Sequence, residues 1–180
     1  SRSDSALDAY LDVLIGKIAA AQEPDGYLYT ARTQGITDGM AGATRWCNLE
    51  GSHELYNLGH LYEAAAAHYA ATGKRSLLAV AVKSADLVDR TFGPVAGQRH
   101  AVPGHEEIEI GLGKLYRATG EFRYLRLAKY FLDMRGRADR GAKLYGPYAQ
   151  DHLPVTNQTE AVGHAVRAGN DAPEGEILAL

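Results

Sequence analysis

The chain has 180 residues, with 19 Lys or Arg and 22 Asp or Glu, so its formal net charge is −3. This length suits one domain, and the charge balance excludes the basic surface of a nucleic-acid-binding protein. Apolar residues make up 46% of the chain, which excludes a disordered protein, and no apolar run is long enough to span a membrane. The single cysteine, Cys47, excludes an internal disulfide framework and a multi-cysteine zinc site within this chain. Residues 1–6 lack the apolar core of a signal peptide, which favours a cytoplasmic location.

The first half of the chain predicts three helices. Ser5, followed three residues later by Asp8, indicates the start of the first helix, and apolar residues follow at helical spacing. The second helix runs from about residue 53 to residue 72 and is apolar on nearly all sides, which is typical of a buried helix. Residues 75–90 place apolar side chains opposite charged ones and predict an amphipathic outer helix.

The same pair of helices recurs further along. Residues 108–116 have the pattern of an inner helix, and residues 125–135 that of an outer helix with Arg126, Lys129 and Arg135 on its polar side. Residues 71–74 (ATGK) and 118–121 (ATGE) nearly repeat each other at an offset of 47, and each contains a glycine that ends a helix. A third inner helix is predicted near Glu160. The predicted fold class is therefore all-α, with helical hairpin repeats that form a solenoid or a closed toroid.

Three histidines occupy matching places in this repeat. His53, His105 and His164 lie at or near the first turn of successive inner helices, beside the long connections at about residues 22–51, 93–104 and 136–157. Because these connections emerge on one face, the three imidazoles are predicted to line one funnel. A lone histidine would more often cap a helix or fill a packing position, and the spacing does not indicate that the three bind zinc.

The other chemically reactive residues have weaker patterns. Glu106 and Glu107 invite an acid/base interpretation, but neighbouring residues diverge around a helix, so stabilisation of the helix dipole is favoured. Cys47 is predicted to be a buried structural thiol. His60 and His68 are predicted to be structural or exposed, and of the loop histidines His152 is expected to be more constrained than His100.

Five motifs resemble glycoside hydrolase family 127, the β-L-arabinofuranosidases, over about residues 6–169. They occur in the family's order: residues 22–28 (QEPDGYL), 53–60 (HELYNLGH), 103–109 (PGHEEIE), 148–155 (YAQDHLPV) and 160–168 (EAVGHAVRA). The resemblance implies an (α/α)6 toroid that holds the catalytic site, followed by β-sandwich domains. It implies release of terminal β-L-arabinofuranose with retention, with a zinc-bound cysteine thiolate as nucleophile and a glutamate as acid/base.

The resemblance also implies what this chain contributes. The histidines that match His53, His105 and His164 would contact an L-arabinofuranoside-type sugar. The family's zinc, held by three cysteines and a glutamate, its nucleophile and its acid/base lie downstream of the motif at residues 160–168, and Cys47 matches none of them. No catalytic residue and no metal ligand is therefore identified here, and the isolated chain is expected to be inactive.

The predicted domain organisation is a partial (α/α)6 catalytic domain at residues 1–169 and a tail at residues 170–180 that departs from the family pattern. Half a toroid would leave an apolar seam on its inner helices, which predicts self-association. Two other functions stay open from the residues alone. One is a non-hydrolytic sugar-binding or epimerase-type toroid, and the other is a helical-repeat interaction scaffold with charged or aromatic residues on a concave face.

Overall fold

The structure is a computed structural model that describes residues 4–36 and 40–167. It confirms the all-α fold class: the described residues contain no strand beyond one isolated bridge between Phe92 and Arg99. The helices are α1 (Ser5–Ala21), α2 (Thr30–Thr33), α3 (Glu54–Thr72), α4 (Ser76–Thr91), α5 (Ile108–Thr119) and α6 (Phe122–Met134). Three short 3-10 helices follow at Ala138–Arg140, Pro147–Ala149 and Val155–Asn157.

The helices pack in two layers. The inner helices α3 and α5 lie against each other, α4 covers α3, α6 covers α5, and the outer helices α1, α4 and α6 are neighbours in that order. Each hairpin turns at a left-handed glycine, Gly73 (φ 72°) or Gly120 (φ 77°), whose amide donates to Tyr69 or Tyr116 in the last turn. The core lies between the layers and consists mainly of Leu, Ala, Phe and Tyr side chains.

The inner helices approach closely because two glycines meet at their crossing. A Cβ on Gly111 would lie 2.5 Å from the Gly59 carbonyl oxygen, and a Cβ on Gly59 would lie 2.6 Å from the carbonyl carbon of Glu107. No side chain fits in either place. The glycine pair therefore brings α3 directly beneath the segment that leads into α5.

The structure corrects four details of the predicted helices. Asp4, and not Ser5, caps α1, because its Oδ1 accepts from the amides of Ala6 and Leu7 at 3.1 Å. Helix α3 is not buried all round, since Ala64 and Ala67 are exposed. Arg135 does not lie on a polar face but is fully buried.

The fourth correction concerns the third inner helix. Helical backbone begins only at residue 165, after Glu160 and directly after His164, and residues 165–167 are the last that the structure describes. The predicted tail at residues 170–180 lies outside the described residues, so the domain boundary stays a prediction.

The long connections meet on one face of the helices, as predicted. The Gly104 amide donates to the Leu49 carbonyl at 2.9 Å, and Arg99 Nη1 donates to the Trp46 carbonyl at 3.3 Å. Gly136 lies against the backbone of Leu153. These contacts join the first connection to the second and anchor the third beside α6. In the described part of the chain, no helix is long and apolar enough to cross a bilayer.

Candidate functional site

The three predicted histidines lie side by side on the face formed by the long connections. The ring centroids of His53 and His105 are 5.7 Å apart, and those of His105 and His164 are 5.9 Å apart. Tyr56 packs against His105 with a centroid distance of 4.2 Å, and Tyr148 lies 5.2 Å from His164. We call these five residues the histidine cluster. The chain thus brings together residues that are up to 111 positions apart in sequence.

His53 is held by the first turn of α3. It occupies the N-cap position in the left-handed region (φ 53°, ψ 17°), where a non-glycine residue is strained. The next residue, Glu54, is buried and accepts hydrogen bonds from the Trp46 amide at 3.2 Å, from Ser52 Oγ at 3.1 Å and from the Tyr27 hydroxyl. This network ties the first long connection to α3 and fixes the backbone that carries His53.

His105 is the central and most buried histidine of the cluster. Its Nδ1 lies 2.9 Å from the carbonyl oxygen of Glu106. Since a carbonyl only accepts, Nδ1 carries the proton and donates. Burial, with a smaller contribution from the nearby charge of Arg167, lowers the pKa of His105 to about 4. The ring is therefore neutral near pH 7, and Nε2 is left with a lone pair that can accept a hydrogen bond from a ligand.

His164 completes the cluster from the end of the third connection. It lies against Tyr148, and the guanidinium of Arg167 lies over the same tyrosine ring at 4.7 Å. Arg167 is only 7% exposed, while Tyr148 is exposed. The cluster therefore presents imidazole and phenol rings at a surface with one buried cation beneath it.

A buried ion pair that the sequence did not indicate lies directly beside the cluster. Arg135 Nη1 lies 2.7 Å from Glu106 Oε1, and both side chains are completely buried. Helix-dipole stabilisation of Glu106 is thus the wrong interpretation, because Glu106 precedes α5 and pairs across the core. The available signal was the spacing of Arg135 from Ala128, Phe131 and Leu132, which places it on the buried stripe of α6.

Glu107 points away from Glu106 and into a second ionic group. Its Oε1 lies 3.0 Å from His60 Nδ1, and Glu63 joins the group from α3 with Lys114 as its ion-pair partner. Burial, followed by the hydrogen bond and charge of Glu63, raises the pKa of Glu107 to about 8. Burial also raises the pKa of Glu63, but hydrogen bonds from Glu107 and Lys114 outweigh it and lower that pKa. The helix-dipole interpretation fails for Glu107 as well.

This second group is also where the described residues offer a set of metal-type ligands. Ligand atoms of His60, Glu63 and Glu107 lie within 4.8 Å of one another. The Lys114 ammonium pairs with Glu63, and the raised pKa of Glu107 keeps that carboxyl protonated near pH 7. The group therefore consists of one ion pair, a neutral carboxyl and an imidazole.

The remaining predicted residues have mixed outcomes. Cys47 is exposed, so its assignment as a buried thiol is wrong. The Thr44 amide donates to its Sγ at 3.4 Å, and this lowers the pKa of the thiol. His60 and His100 are exposed, whereas His68 and His152 are partly buried, which agrees with the expectation that His152 is the more constrained loop histidine.

Comparison with known proteins gives consistent matches. The chain matches the family model described as "Beta-L-arabinofuranosidase, GH127 catalytic domain" over residues 1–177. It is 42% identical to the non-reducing end β-L-arabinofuranosidase of Bifidobacterium longum subsp. longum, over 92% of this chain and 28% of that protein.

Solved structures of GH127 enzymes are similar to this chain as well. A GH127 β-arabinofuranosidase is 47% identical with a TM-score of 0.90, over 98% of this chain and 28% of the other. The GH127 β-L-arabinofuranosidase Ara127N-Se from Geobacillus stearothermophilus T6 is 41% identical with a TM-score of 0.83, over 95% of this chain and 28% of the other. The chain thus spans little more than a quarter of the length of these relatives.

Proposed function

The chain belongs to the GH127 catalytic-domain family of β-L-arabinofuranosidases, and from this membership we propose that it forms part of the sugar pocket of a retaining glycoside hydrolase. It corresponds to the N-terminal half of the family's (α/α)6 toroid. In this proposal His53, His105 and His164 contact a terminal β-L-arabinofuranosyl residue. The observation that carries it is the convergence of these three histidines on one face of the fold.

The chemistry of the histidine cluster suits a polyhydroxylated ligand. A neutral imidazole whose Nδ1 is engaged presents one acceptor to a sugar hydroxyl, as His105 does. The rings of Tyr56 and Tyr148 supply apolar faces against which a furanose ring can pack, and the tyrosine hydroxyl adds a polar contact. Interaction scaffolds recognise partners over larger surfaces, so this compact cluster favours the sugar pocket.

The family's zinc and its thiolate nucleophile do not fit the residues of this chain. The sequence has one cysteine, and Cys47 lies exposed in the first connection, where the Thr44 amide donates to its sulfur. Three thiolates cannot be assembled here. We therefore assign this chain a role in binding and assign no step of glycoside cleavage to its own residues.

The binding role is tested in a GH127 β-L-arabinofuranosidase in which this chain replaces the matching segment. His105→Ala should lower kcat/KM for an aryl β-L-arabinofuranoside by a factor of about 10² or more, because a buried positioning contact is lost. His100→Ala, at an exposed loop histidine, is the matched control and should leave turnover unchanged. Equal activity of the two variants, with both folded, would remove His105 from the pocket.

The 180-residue chain by itself provides a second test. It should neither hydrolyse the aryl β-L-arabinofuranoside nor retain stoichiometric zinc after dialysis, because a nucleophile and its metal together account for many orders of magnitude in rate. Robust cleavage by this chain would contradict the assignment and would make Cys47 the first residue to replace.

We also propose that the chain self-associates through an apolar groove between α1 and α3. The groove has a volume of about 990 Å³ and is lined by Leu7 and Leu14 of α1 and by Leu61 and Ala64 of α3. Leu7 and Leu14 are 54% and 39% exposed. Covering this surface removes apolar area from water, and this favours binding of a second copy of the chain at high protein concentration.

A further inference from the structure

Arg135 is the one large cation in the described residues whose side chain is completely buried, and it contacts three separate segments. Its Nη2 donates to the Pro103 carbonyl at 3.0 Å, and its Nη1 donates to the Ala149 carbonyl at 3.2 Å. Nη1 also lies 2.7 Å from Glu106 Oε1, and Nη2 lies 3.5 Å from Glu109 Oε1. The guanidinium therefore joins the second connection, the start of α5 and the third connection at one point.

These contacts bracket the histidine cluster on both sides. Pro103 and Glu106 flank His105 in sequence, and the Glu106 carbonyl holds His105 Nδ1. Ala149 directly follows Tyr148, which packs against His164. Through one side chain, the backbone beside His105 is linked to the backbone beside the partner of His164.

The geometry requires arginine and not simply a positive charge. A planar guanidinium can direct separate N–H groups at two carbonyls and a carboxylate at once, whereas a lysine ammonium on a single stem has no fixed fork. A structural ion pair that only balanced Glu106 would not need the two carbonyl contacts on different connections. Arg135 thus has more contacts than charge balance demands.

We propose that Arg135 is a positioning residue that sets the distance between His105 and His164 by clamping the two connections that carry them. Its consequence for sugar binding rests on the proposed function, but the clamp itself does not. Without Arg135, the connections separate, water reaches His105 and the spacing of the cluster is lost.

The test measures His105 directly, in the 180-residue chain, by NMR titration of its imidazole signal. In the wild type the signal should not titrate above about pH 5, because burial holds the pKa of His105 near 4. In Arg135→Lys the pKa should rise toward 6.5 by about one unit or more, since entry of water relieves the desolvation. Amide hydrogen exchange around Ala149 should accelerate in the same variant.

Two further variants keep the proposal falsifiable. Arg135→Met combined with Glu106→Gln and Glu109→Gln removes the buried guanidinium and both carboxylates that pair with it, so it leaves no uncompensated carboxylate there if Arg135→Lys fails to fold. It should reproduce the shift at His105, because the carbonyl contacts are still lost. Arg137→Met, at a partly exposed arginine paired with Asp139, is the matched control and should leave the His105 signal unchanged.

The outcomes separate the two proposals. A folded Arg135 variant with an unshifted His105 signal and unchanged exchange at Ala149 would overturn the clamp. A shifted signal together with an unchanged KM for the arabinofuranoside in the GH127 enzyme that carries this chain would support the clamp and contradict the sugar-binding role of the cluster.

Discussion

The crossing of α3 and α5 provides a sharp test of the packing, because Gly111→Ala should destabilise the protein although alanine favours a helix. A Cβ at position 111 would lie 2.5 Å from the Gly59 carbonyl oxygen and 2.9 Å from Gly59 Cα. Both are backbone atoms that cannot rotate out of the way. The helices must separate by roughly 1 Å to restore ordinary contact, and a gap of that size forfeits a quarter to a half of the local dispersion attraction.

The magnitude follows from two opposing terms. Replacing a mid-helix glycine by alanine gains about 1 kcal/mol of helix propensity. Overpacking costs about 1–3 kcal/mol, and the upper end applies because the contact falls between the completely buried side chains of Tyr62 and Leu112. The net expectation is a loss of about 2 kcal/mol in the free energy of unfolding, which lowers Tm by about 4–8 °C for a domain of this size.

Gly16→Ala is the matched control, because Gly16 also lies inside a helix but has no atom within 4 Å of the position of a Cβ. It should gain about 0.5–1 kcal/mol and raise Tm by up to about 4 °C. Both variants are measured by calorimetry and by urea unfolding at the same pH. If Gly111→Ala proves as stable as Gly16→Ala, α3 and α5 do not pack so closely that a Cβ at position 111 is excluded.

Three other outcomes are expected. Glu107→Gln should stabilise the chain relative to wild type more at about pH 9 than at about pH 5. The pKa of Glu107 in the folded protein is near 8, so wild type loses stability as pH rises from 4.5 to 8. Equal effects of the substitution at both pH values in urea unfolding would contradict this. His105→Gln should abolish the loss of stability that wild type shows as pH falls from 6.5 to about 4, since the folded protein disfavours the charged imidazole. A free energy of unfolding that falls with pH in the variant as it does in wild type would be the opposing result. Sedimentation at increasing concentration should show association that Leu7→Glu weakens, and a monomer throughout would count against the apolar groove as a contact surface.

The helical hairpins were predictable from the sequence because their signals are local. Apolar residues recur at three- and four-residue intervals within each helix, and Gly73 and Gly120 mark the left-handed turns that end the inner helices. The register of His53, His105 and His164 follows from the same repeat, since equivalent positions in packed repeats lie on the same face. Their roles toward a sugar stay a proposal.

Charged and reactive side chains were assigned less well, because their environment depends on segments far away in sequence. Arg135 follows the spacing of the buried stripe of α6, but its burial is stable only because Glu106 and two carbonyls, from residues 14 to 32 positions away, converge on it. Cys47 lies in a connection without helical periodicity, so nothing local indicated its exposure.

This dependence on distant segments also separates what the sequence determines from what the tertiary structure determines. The sequence by itself determined the all-α fold, the hairpin repeat and the family, because periodicity and contiguous motifs are properties of short stretches of chain. Only the tertiary structure decided that Glu106 and Glu107 enter different ionic groups, because α5 begins after them and the backbone at Glu107 passes over Gly59. Burial of a charge is decided by the partners that the whole fold brings to it, and those partners have no fixed spacing in sequence.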